Sequence, residues 1–203
     1  MNIIAKYRDM LAFIDLKNNL LACPSNMRSI TAGALIDVAN EHGKGICLLI
    51  ENKLDATAFS LLRIQFETFI RAAWLRNCAS DFEIKTFINK DRIVLDSKQK
   101  FPFKDMVIAV ETSKNLKTKL SEIQSNIWTS LNSYTHGGIF QAAQRFNGKS
   151  IGPNHGSERV DDAVQISALL TFLGFCEWIE ITENEDNLKF TKELEEQIKP
   201  WVF

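Results

Sequence analysis

Residues 55–79 constrain the fold of this chain more than any other segment. The segment contains no proline and no glycine, and its apolar side chains occupy nearly every direction around a helix. Such a helix is stable only where other helices cover it on all sides. Residues 162–181 form a second segment of the same kind. The two segments predict an all-α helical bundle in which they are the central pair.

Helical spacing of apolar residues predicts three further helices, at residues 2–21, 29–52 and 112–136. Asp55 is the predicted N-cap of the central helix. The glycines of the second helix have two interpretations, because glycine permits close contact with a neighbouring helix and also favours a break. A break would fall near His42.

The rest of the chain shows no strand pattern. No run of alternating apolar and polar residues is present, and the Asn-Gly pair at residues 147–148 has no such run beside it. Residues 96–105 and 137–159 are predicted to be irregular, and long loops such as the second often carry function. Residues 1–203 together are predicted to form a single domain, with an acidic helical segment at about residues 177–199.

Charge is balanced over the whole chain but not along it. The sequence has 24 Lys and Arg against 25 Asp and Glu, a net charge of −1, so composition favours neither a nucleic-acid nor a membrane partner. Residues 85–119 hold nine basic and four acidic residues, whereas residues 177–199 hold eight acidic and three basic ones. Three interpretations are open: solvated faces, a basic patch for phosphate groups, or attraction between the two segments across a dimer.

The sequence predicts a cytoplasmic protein with no membrane partner. Charged residues interrupt the apolar residues near the N-terminus, unlike in a signal peptide, and the uncharged stretch at residues 163–176 is too short to cross a bilayer. The cysteines are far apart and form no C-x-x-C motif, which predicts buried free thiols in a reducing compartment. They are Cys23, Cys47, Cys78 and Cys176.

No cofactor and no metal site is predicted. Residues 148–150 (Gly-Lys-Ser) resemble the end of a P-loop, but the earlier glycine and the preceding strand of that motif are missing. Residues 148–152 match G-x-S-x-G, but a nucleophile elbow also needs a strand before it and a helix after it. The three histidines lack the H-E-x-x-H spacing of a metal site. They are His42, His136 and His155.

Three charged residues stand out on the central segment. Arg63, Glu67 and Arg71 recur at intervals of four, so they share one edge of a helix that is otherwise apolar. Charges in that position need partners, because an unpaired buried guanidinium or carboxylate is strongly destabilising. The edge is therefore either a structural ion-pair ladder or a ligand site, since rigidly held arginines suit a phosphate or a carboxylate.

A histidine ends the third of the periodic helices. Gly137 is a natural left-handed cap, and a histidine in the last turn interacts favourably with the helix dipole, so one interpretation of His136 is helix capping. The other interpretation is acid–base chemistry. Ser125, Thr129 and Asn132 lie on the same side of the helix and can fix the tautomer of the imidazole.

The Arg-x-x-x-Glu motif in residues 58–75, followed one or two helices later by Tyr-Thr-His-Gly at residues 134–137, resembles a family of uncharacterised bacterial helical proteins. The similarity covers about residues 38–140. That family is similar in fold to HEPN domains, which are helical bundles of toxin and phage-defence systems, commonly dimeric and often metal-independent ribonucleases. The resemblance implies a homodimer, RNA or a nucleotide as ligand, and an antitoxin or another defence-system partner.

The first functional hypothesis is therefore a HEPN-like ribonuclease. His136 corresponds to the HEPN histidine and would act as general acid or base. In the HEPN signature four to six residues separate an arginine from the histidine, but the corresponding positions here, residues 129–131, are Thr, Ser and Leu. The catalytic arginine must then come from elsewhere in the fold, and Arg63 and Arg71 are the candidates.

The second hypothesis is a non-catalytic helical module that binds a small anion, a nucleotide or a partner protein. The missing arginine before the histidine favours this hypothesis, whereas the histidine and the two arginines favour the first. Four further residues are predicted to bind the ligand in either case. They are Glu67, Asn132, Tyr134 and Arg145.

Overall fold

The described part of the chain is built from nine α-helices. The structure is a computed structural model that describes residues 2–18, 21–22, 24–95, 101–116 and 119–203. In chain order the helices are α1 (Ile3–Asn18), α2 (Met27–Glu51), α3 (Asp55–Asn77), α4 (Asp81–Lys90), α5 (Phe103–Ser113), α6 (Leu120–Thr135), α7 (Ile139–Ala143), α8 (Ser157–Ile181) and α9 (Leu188–Val202). A 3₁₀ turn, Glu185–Asn187, connects α8 to α9.

The predicted all-α class is confirmed for the described residues, in which no β-strand occurs. An isolated bridge joins Phe146 to Ile151. Between them Gly148 has a left-handed φ of +89°, and the side chain of Asn147 accepts a hydrogen bond from the backbone of Ser150. The Asn-Gly pair therefore makes a tight turn that one bridge closes.

The predicted helix at residues 112–136 is wrong in extent. The segment contains the end of α5 and the whole of α6. α5 ends at Ser113, and Asn115 adopts a left-handed φ of +47° before α6 begins. α5 was not predicted, and its first turn lies inside the segment predicted to be irregular. Residues 96–100 of that segment lie outside the described residues.

Other boundaries also differ from the predictions. The loop predicted at residues 137–159 is interrupted by α7, and α8 begins at Ser157, earlier than predicted. α2 is continuous through His42, so no break occurs there. α1 ends at Asn18, and residues 19–20 of the predicted first helix lie outside the described residues.

α3 lies in the middle of the bundle. It contacts α2, α5, α6 and α8, and it packs most extensively against α2. α8 contacts α1, α2, α3 and α9, so the predicted central pair is in contact and α2 packs against both of its members. Apolar residues from α1 at one end of the chain to α9 at the other form one core cluster around Phe66, Phe69 and Phe175. One edge of α3 is left for polar residues.

An arginine from α2 holds the C-terminal end of α3. Nη1 of Arg28 donates to the carbonyl oxygens of Leu75 and Ala79 at 2.9 and 2.7 Å, which satisfies acceptors that a helix end leaves open. At the other end the predicted N-cap is wrong by one residue. Asp55 is the first helical residue and Leu54 is the N-cap, without a side-chain cap.

A buried polar network joins α1, α3 and α8. The hydroxyl of Tyr7 lies 2.8 Å from Ser167 Oγ and 2.9 Å from Thr171 Oγ1, and Gln65 hydrogen-bonds to both of those hydroxyls. Burial raises the pKa of Tyr7 to about 12, so the phenol stays protonated. Gly43 of α2 lies against the network. A Cβ there would meet the Tyr7 hydroxyl at 2.5 Å, so this glycine permits close contact between helices.

An ion-pair cluster joins α3, α5 and α8. The buried carboxylate of Glu177 pairs with Arg76 and with Lys114, each at 3.2 Å, and Glu180 pairs with the same two cations. Lys114 belongs to the basic segment of the sequence, and both carboxylates belong to the acidic one. Part of the attraction between those segments therefore takes place within one chain.

α8 is the one described helix with the length and apolarity of a membrane span. Of its apolar window, 67% is buried inside the bundle, and core helices of soluble proteins pass the same test.

The described cysteines are free thiols. Cys47 is buried, whereas Cys78 and Cys176 are half-buried. Burial raises the pKa of Cys47 to about 11 and that of Cys176 to about 12, so both stay protonated at neutral pH. Cys23 lies outside the described residues.

Gly43→Ala is expected to lower the free energy of unfolding by about 1–3 kcal/mol, because the new methyl group would overlap the buried Tyr7 and Thr171 side chains. Gly45→Ala is the matched control on the same helix. Its Cβ would meet the flexible end of Leu61 at 2.9 Å, and a gain in helix propensity should keep the change within about 1 kcal/mol. Chemical denaturation measures both variants, and equal stability of the two would contradict the close packing of α2 on the network.

Candidate functional site

His136 and Arg63 form the centre of the candidate site. His136 follows the last residue of α6, Arg63 lies on α3, and Nη1 of Arg63 is 3.2 Å from Nε2 of His136. A guanidinium carries only hydrogen-bond donors, so in this hydrogen bond Nε2 is the acceptor, which requires the tautomer with its proton on Nδ1. His136 is exposed, so the pair faces solvent.

Glu67 holds both arginines of the predicted edge. Its Oε1 accepts hydrogen bonds from Nη2 and Nε of Arg63 at 2.8 and 3.2 Å, and its Oε2 accepts from Nη2 of Arg71 at 3.1 Å. The side chains of Arg63 and Glu67 are 17% and 21% exposed, and that of Arg71 is 40% exposed. The ion-pair ladder is therefore present, and it continues to a histidine. We call His136, Arg63, Glu67 and Arg71 the charged row.

Two aromatic rings support the charged row. The guanidinium carbon of Arg63 lies 4.7 Å from the centre of the Trp128 ring on α6, which is within the range of a cation–π contact. Trp128 stacks on Phe103, the first residue of α5, with ring centroids 5.0 Å apart and ring planes at 17°. The Trp128 ring thus packs against the guanidinium of Arg63, and the carboxylate of Glu67 fixes the direction of its N–H groups.

The end of α6 fixes the position of His136. Gly137 has a left-handed φ of +67°, as its predicted cap role requires, and the N–H of Gly138 donates to the carbonyl oxygen of Ser133 at 2.8 Å. A Cβ on Gly138 would meet Ser133 Oγ at 2.6 Å, so the chain turns tightly here. The backbone of the two glycines caps the helix, which leaves the imidazole free to pair with Arg63.

The polar row predicted on α6 lies only partly in the site. The carbonyl oxygen of Asn132 accepts the N–H of His136 at 3.0 Å, and its buried Oδ1 has no hydrogen-bond partner among the described residues. Ser125 donates to a carbonyl of its own helix, and Thr129 lines a separate groove. Trp128 and His136, two helical turns apart, define the face of α6 that meets the charged row.

Two other predicted binding residues lie in a second cluster. The hydroxyl of Tyr134 is 3.2 Å from Nδ1 of His155, and its ring packs edge-on against Phe59. Burial raises the pKa of Tyr134 and lowers the pKa of His155, and Arg145 is close enough to lower both pKa values. The structure therefore places the side chains of Tyr134 and Arg145 with His155, not with the charged row.

A large cavity begins where the charged row ends at Arg71. It has a volume of about 1070 Å³ and lies between α3, the end of α4 and the start of α5. Phe103, which stacks on Trp128, also lines this cavity. Phe103 and Trp128 therefore connect the cavity to the Arg63–His136 pair.

The charged row can bind an anion and accept a proton. Two guanidinium groups share one carboxylate, so the three residues carry a net positive charge that attracts phosphate or carboxylate groups. An oxyanion bound to Nη1 of Arg63 would lie beside Nε2 of His136, which has a lone pair for a proton. Among the described residues, no group of three or more His, Cys, Asp or Glu could hold a metal ion.

Sequence reasoning missed the aromatic support of the site. A signal for Trp128 exists, because residues 128, 132 and 136 recur at intervals of four and share one face of a helix. The sequence carries no comparable signal for Phe103, because its stack on Trp128 depends on how α5 and α6 pack.

Fold and site together define an all-α protein with a solvent-facing arginine–histidine pair on its central helix. The chain belongs to DUF6988, a family of unknown function whose match covers residues 36–202. The matched range includes the whole charged row. No curated protein and no solved structure matches the chain.

Glu67→Gln is expected to lower the free energy of unfolding by about 1–3 kcal/mol, because it leaves two partly buried arginines without their shared charge. Glu196→Gln is the control, since Glu196 is exposed and lies 3.9 Å from Lys199 in an ordinary surface pair. Its expected cost is below about 0.5 kcal/mol. If denaturation curves gave the two variants the same free energy of unfolding, the charged row would be an ordinary surface feature that does not stabilise the fold.

Proposed function

We propose that this protein is a metal-independent endoribonuclease with a HEPN-like helical fold, of the kind that acts in bacterial toxin and phage-defence systems. The observation that carries the proposal is the 3.2 Å contact between Arg63 Nη1 and His136 Nε2 in a solvent-facing position. In place of the arginine that HEPN nucleases carry before their histidine, this chain uses an arginine of the central helix. A phosphate clamp beside a proton acceptor supplies the two functions that RNA cleavage by a 2′-hydroxyl requires.

In the proposed reaction, Arg63 turns from His136 to the phosphate at the cleaved bond, which frees Nε2. Nε2 then takes the proton of the neighbouring 2′-hydroxyl, and the 2′ oxygen attacks phosphorus. The bond between phosphorus and the 5′ oxygen breaks, and that oxygen takes a proton from solvent. The products are a cyclic phosphate end and a 5′-hydroxyl end. Glu67 keeps the guanidinium of Arg63 within reach of the phosphate throughout.

We further propose that the protein acts in the cytoplasm as a homodimer. Three apolar residues in the connection that follows His136 are strongly exposed: Ile139 at 84%, Phe146 at 57% and Ile151 at 87%. Exposed apolar residues concentrated in one short connection are typical of an interface. Because Ile139 is only three residues from His136, such an interface would bring the two sites of a dimer close together. A neutralising antitoxin or a defence-system partner is proposed from the family resemblance.

Purified protein is expected to cleave single-stranded or transfer RNA in the presence of a metal chelator. His136→Ala is expected to lower the cleavage rate by at least about 100-fold, because it removes the proton acceptor. The melting temperature should change little, since the side chain is exposed. His42→Asn on α2 is the matched histidine control and should keep full activity. Gel analysis of end-labelled RNA measures the rates.

Two results would contradict the nuclease proposal. The first is RNA cleavage that survives in His136→Ala or that requires a divalent metal ion. The second is wild-type protein that cleaves no RNA at any pH tested, alone or with proteins encoded beside it. Binding of RNA or inorganic phosphate without cleavage would favour the alternative, a non-catalytic module that binds an anion, a nucleotide or a partner protein.

Ile139→Glu is expected to convert the dimer to a monomer, because a buried carboxylate in an apolar interface is strongly unfavourable. Size-exclusion chromatography with light scattering measures the mass of both forms. Ile88→Glu, which changes an exposed isoleucine of α4, is the control and should leave the dimer intact. A wild-type protein that is monomeric at every concentration measured would contradict the dimer.

A further inference from the structure

The cavity at the end of the charged row has the size of a ligand site. Its volume of about 1070 Å³ is slightly above the usual range of small-molecule pockets, about 300–1,000 Å³. Its walls combine rings and charges. The residues that matter for its chemistry are Phe87, Phe101, Phe103, Arg71, Asp91 and Arg92.

The aromatic walls are held rigidly from behind. Phe101 packs on the buried Trp74, with ring centroids 5.4 Å apart, and Phe103 packs against both Phe66 and Trp128. Both phenylalanines are only half-buried, so part of each ring is open to the cavity. Any nucleobase can stack on an aromatic ring that is fixed and partly open.

The charges of the cavity are free to bind an anion. Arg71 uses one nitrogen to pair with Glu67 and is 40% exposed, so its other donors are available. Arg92 is exposed and makes no ion pair with any described residue. It follows Asp91, whose left-handed φ of +49° ends α4 and turns the chain toward the cavity. Together with the Arg63–Glu67 pair, the cavity charges Arg71, Arg92 and Asp91 make three arginines against two carboxylates, which is a net positive charge.

The spacing along α3 relates the cavity to the reactive pair. Arg63 and Arg71 are eight residues apart, which is about 12 Å along a helix axis. Phosphates held at the two ends of the row would therefore belong to different nucleotides of one strand. A nucleotide whose phosphate lies on Arg71 would have its base directed to the phenylalanines that line the cavity with that arginine.

We propose that this cavity binds the base of an unpaired nucleotide next to the cleaved bond, with the base stacked on Phe101 and Phe103 and its phosphate held by Arg71 and Arg92. The proposal rests on the ribonuclease function above for the position of the cleaved bond. It narrows the substrate from single-stranded or transfer RNA in general to RNA with an unstacked base on one side of the cleavage site. A fully paired helix would not present such a base.

Binding of a short single-stranded oligonucleotide tests the proposal separately from cleavage. The probe is a fluorescent RNA with 2′-O-methyl groups, which lacks the attacking hydroxyl and cannot be cleaved. Fluorescence anisotropy gives its Kd for wild type, Arg92→Ala and Phe101→Leu. Both variants are expected to raise the Kd at least about fivefold, the first by losing a phosphate contact and the second by losing a stacking face. Arg8→Ala, an exposed arginine of α1, is the charge control.

An abasic probe separates stacking from a loss of fold. It should bind wild type at least about fivefold more weakly than the complete probe, and it should bind Phe101→Leu and wild type equally. Arg92→Ala carries the test even if Phe101→Leu does not fold, because Arg92 is exposed.

The outcomes for the cavity and for the nuclease are distinguishable. If wild type cleaves RNA but the probe Kd is unchanged in Arg92→Ala and the abasic probe binds as well as the complete one, the cavity proposal is overturned and the nuclease proposal stands. If wild type cleaves no RNA but binds the probe with the expected losses, the nuclease proposal fails and the base-binding cavity stands.

Discussion

The carboxylate of Glu67 is the interaction on which the candidate site depends. α3 is the middle helix of the bundle, and its apolar residues are needed on almost every side. Arginines on such a helix are tolerated only if their charge is compensated nearby. Glu67 compensates two of them at once, because each of its oxygens accepts from a different guanidinium. The same carboxylate also leaves donors of both arginines directed away from the core.

This arrangement links the core to the Arg63–His136 pair. Arg63 is fixed by Glu67 and by the ring of Trp128, so its position follows from the packing of α6 on α3. His136 meets Arg63 because the two glycines after it end α6 at that point. Both residues are positioned by helices. Arg63 belongs to the central helix α3, and His136 lies at the capped end of α6. In the proposed reaction only the Arg63–His136 contact has to open when a phosphate binds, because Glu67 still holds the guanidinium.

Part of this structure could be predicted from the sequence. The absence of proline and glycine in residues 55–79, together with their all-round apolar character, identified α3, and the four-residue interval identified the charged row. The sequence could not show that residues 112–136 are two helices, because the apolar spacing continues through Asn115 while its backbone turns left-handed. It also could not show that Tyr134 belongs with His155, since that contact joins α6 to a connection whose path no local pattern specifies. The histidine–arginine contact itself joins residues far apart in the chain, and only the packing of α6 on α3 creates it.

The protonation site of the His136 ring tests the arginine–histidine pair most directly. Nitrogen NMR of the imidazole distinguishes a ring with its proton on Nδ1 from one with its proton on Nε2. The geometry predicts a proton on Nδ1, with Nε2 accepting from Arg63, and a change in the Nε2 signal when an uncleavable oligonucleotide draws the guanidinium away. A proton on Nε2, or a signal that is identical in wild type, in Arg63→Gln and with the oligonucleotide added, would contradict the pair as the proposed reactive centre.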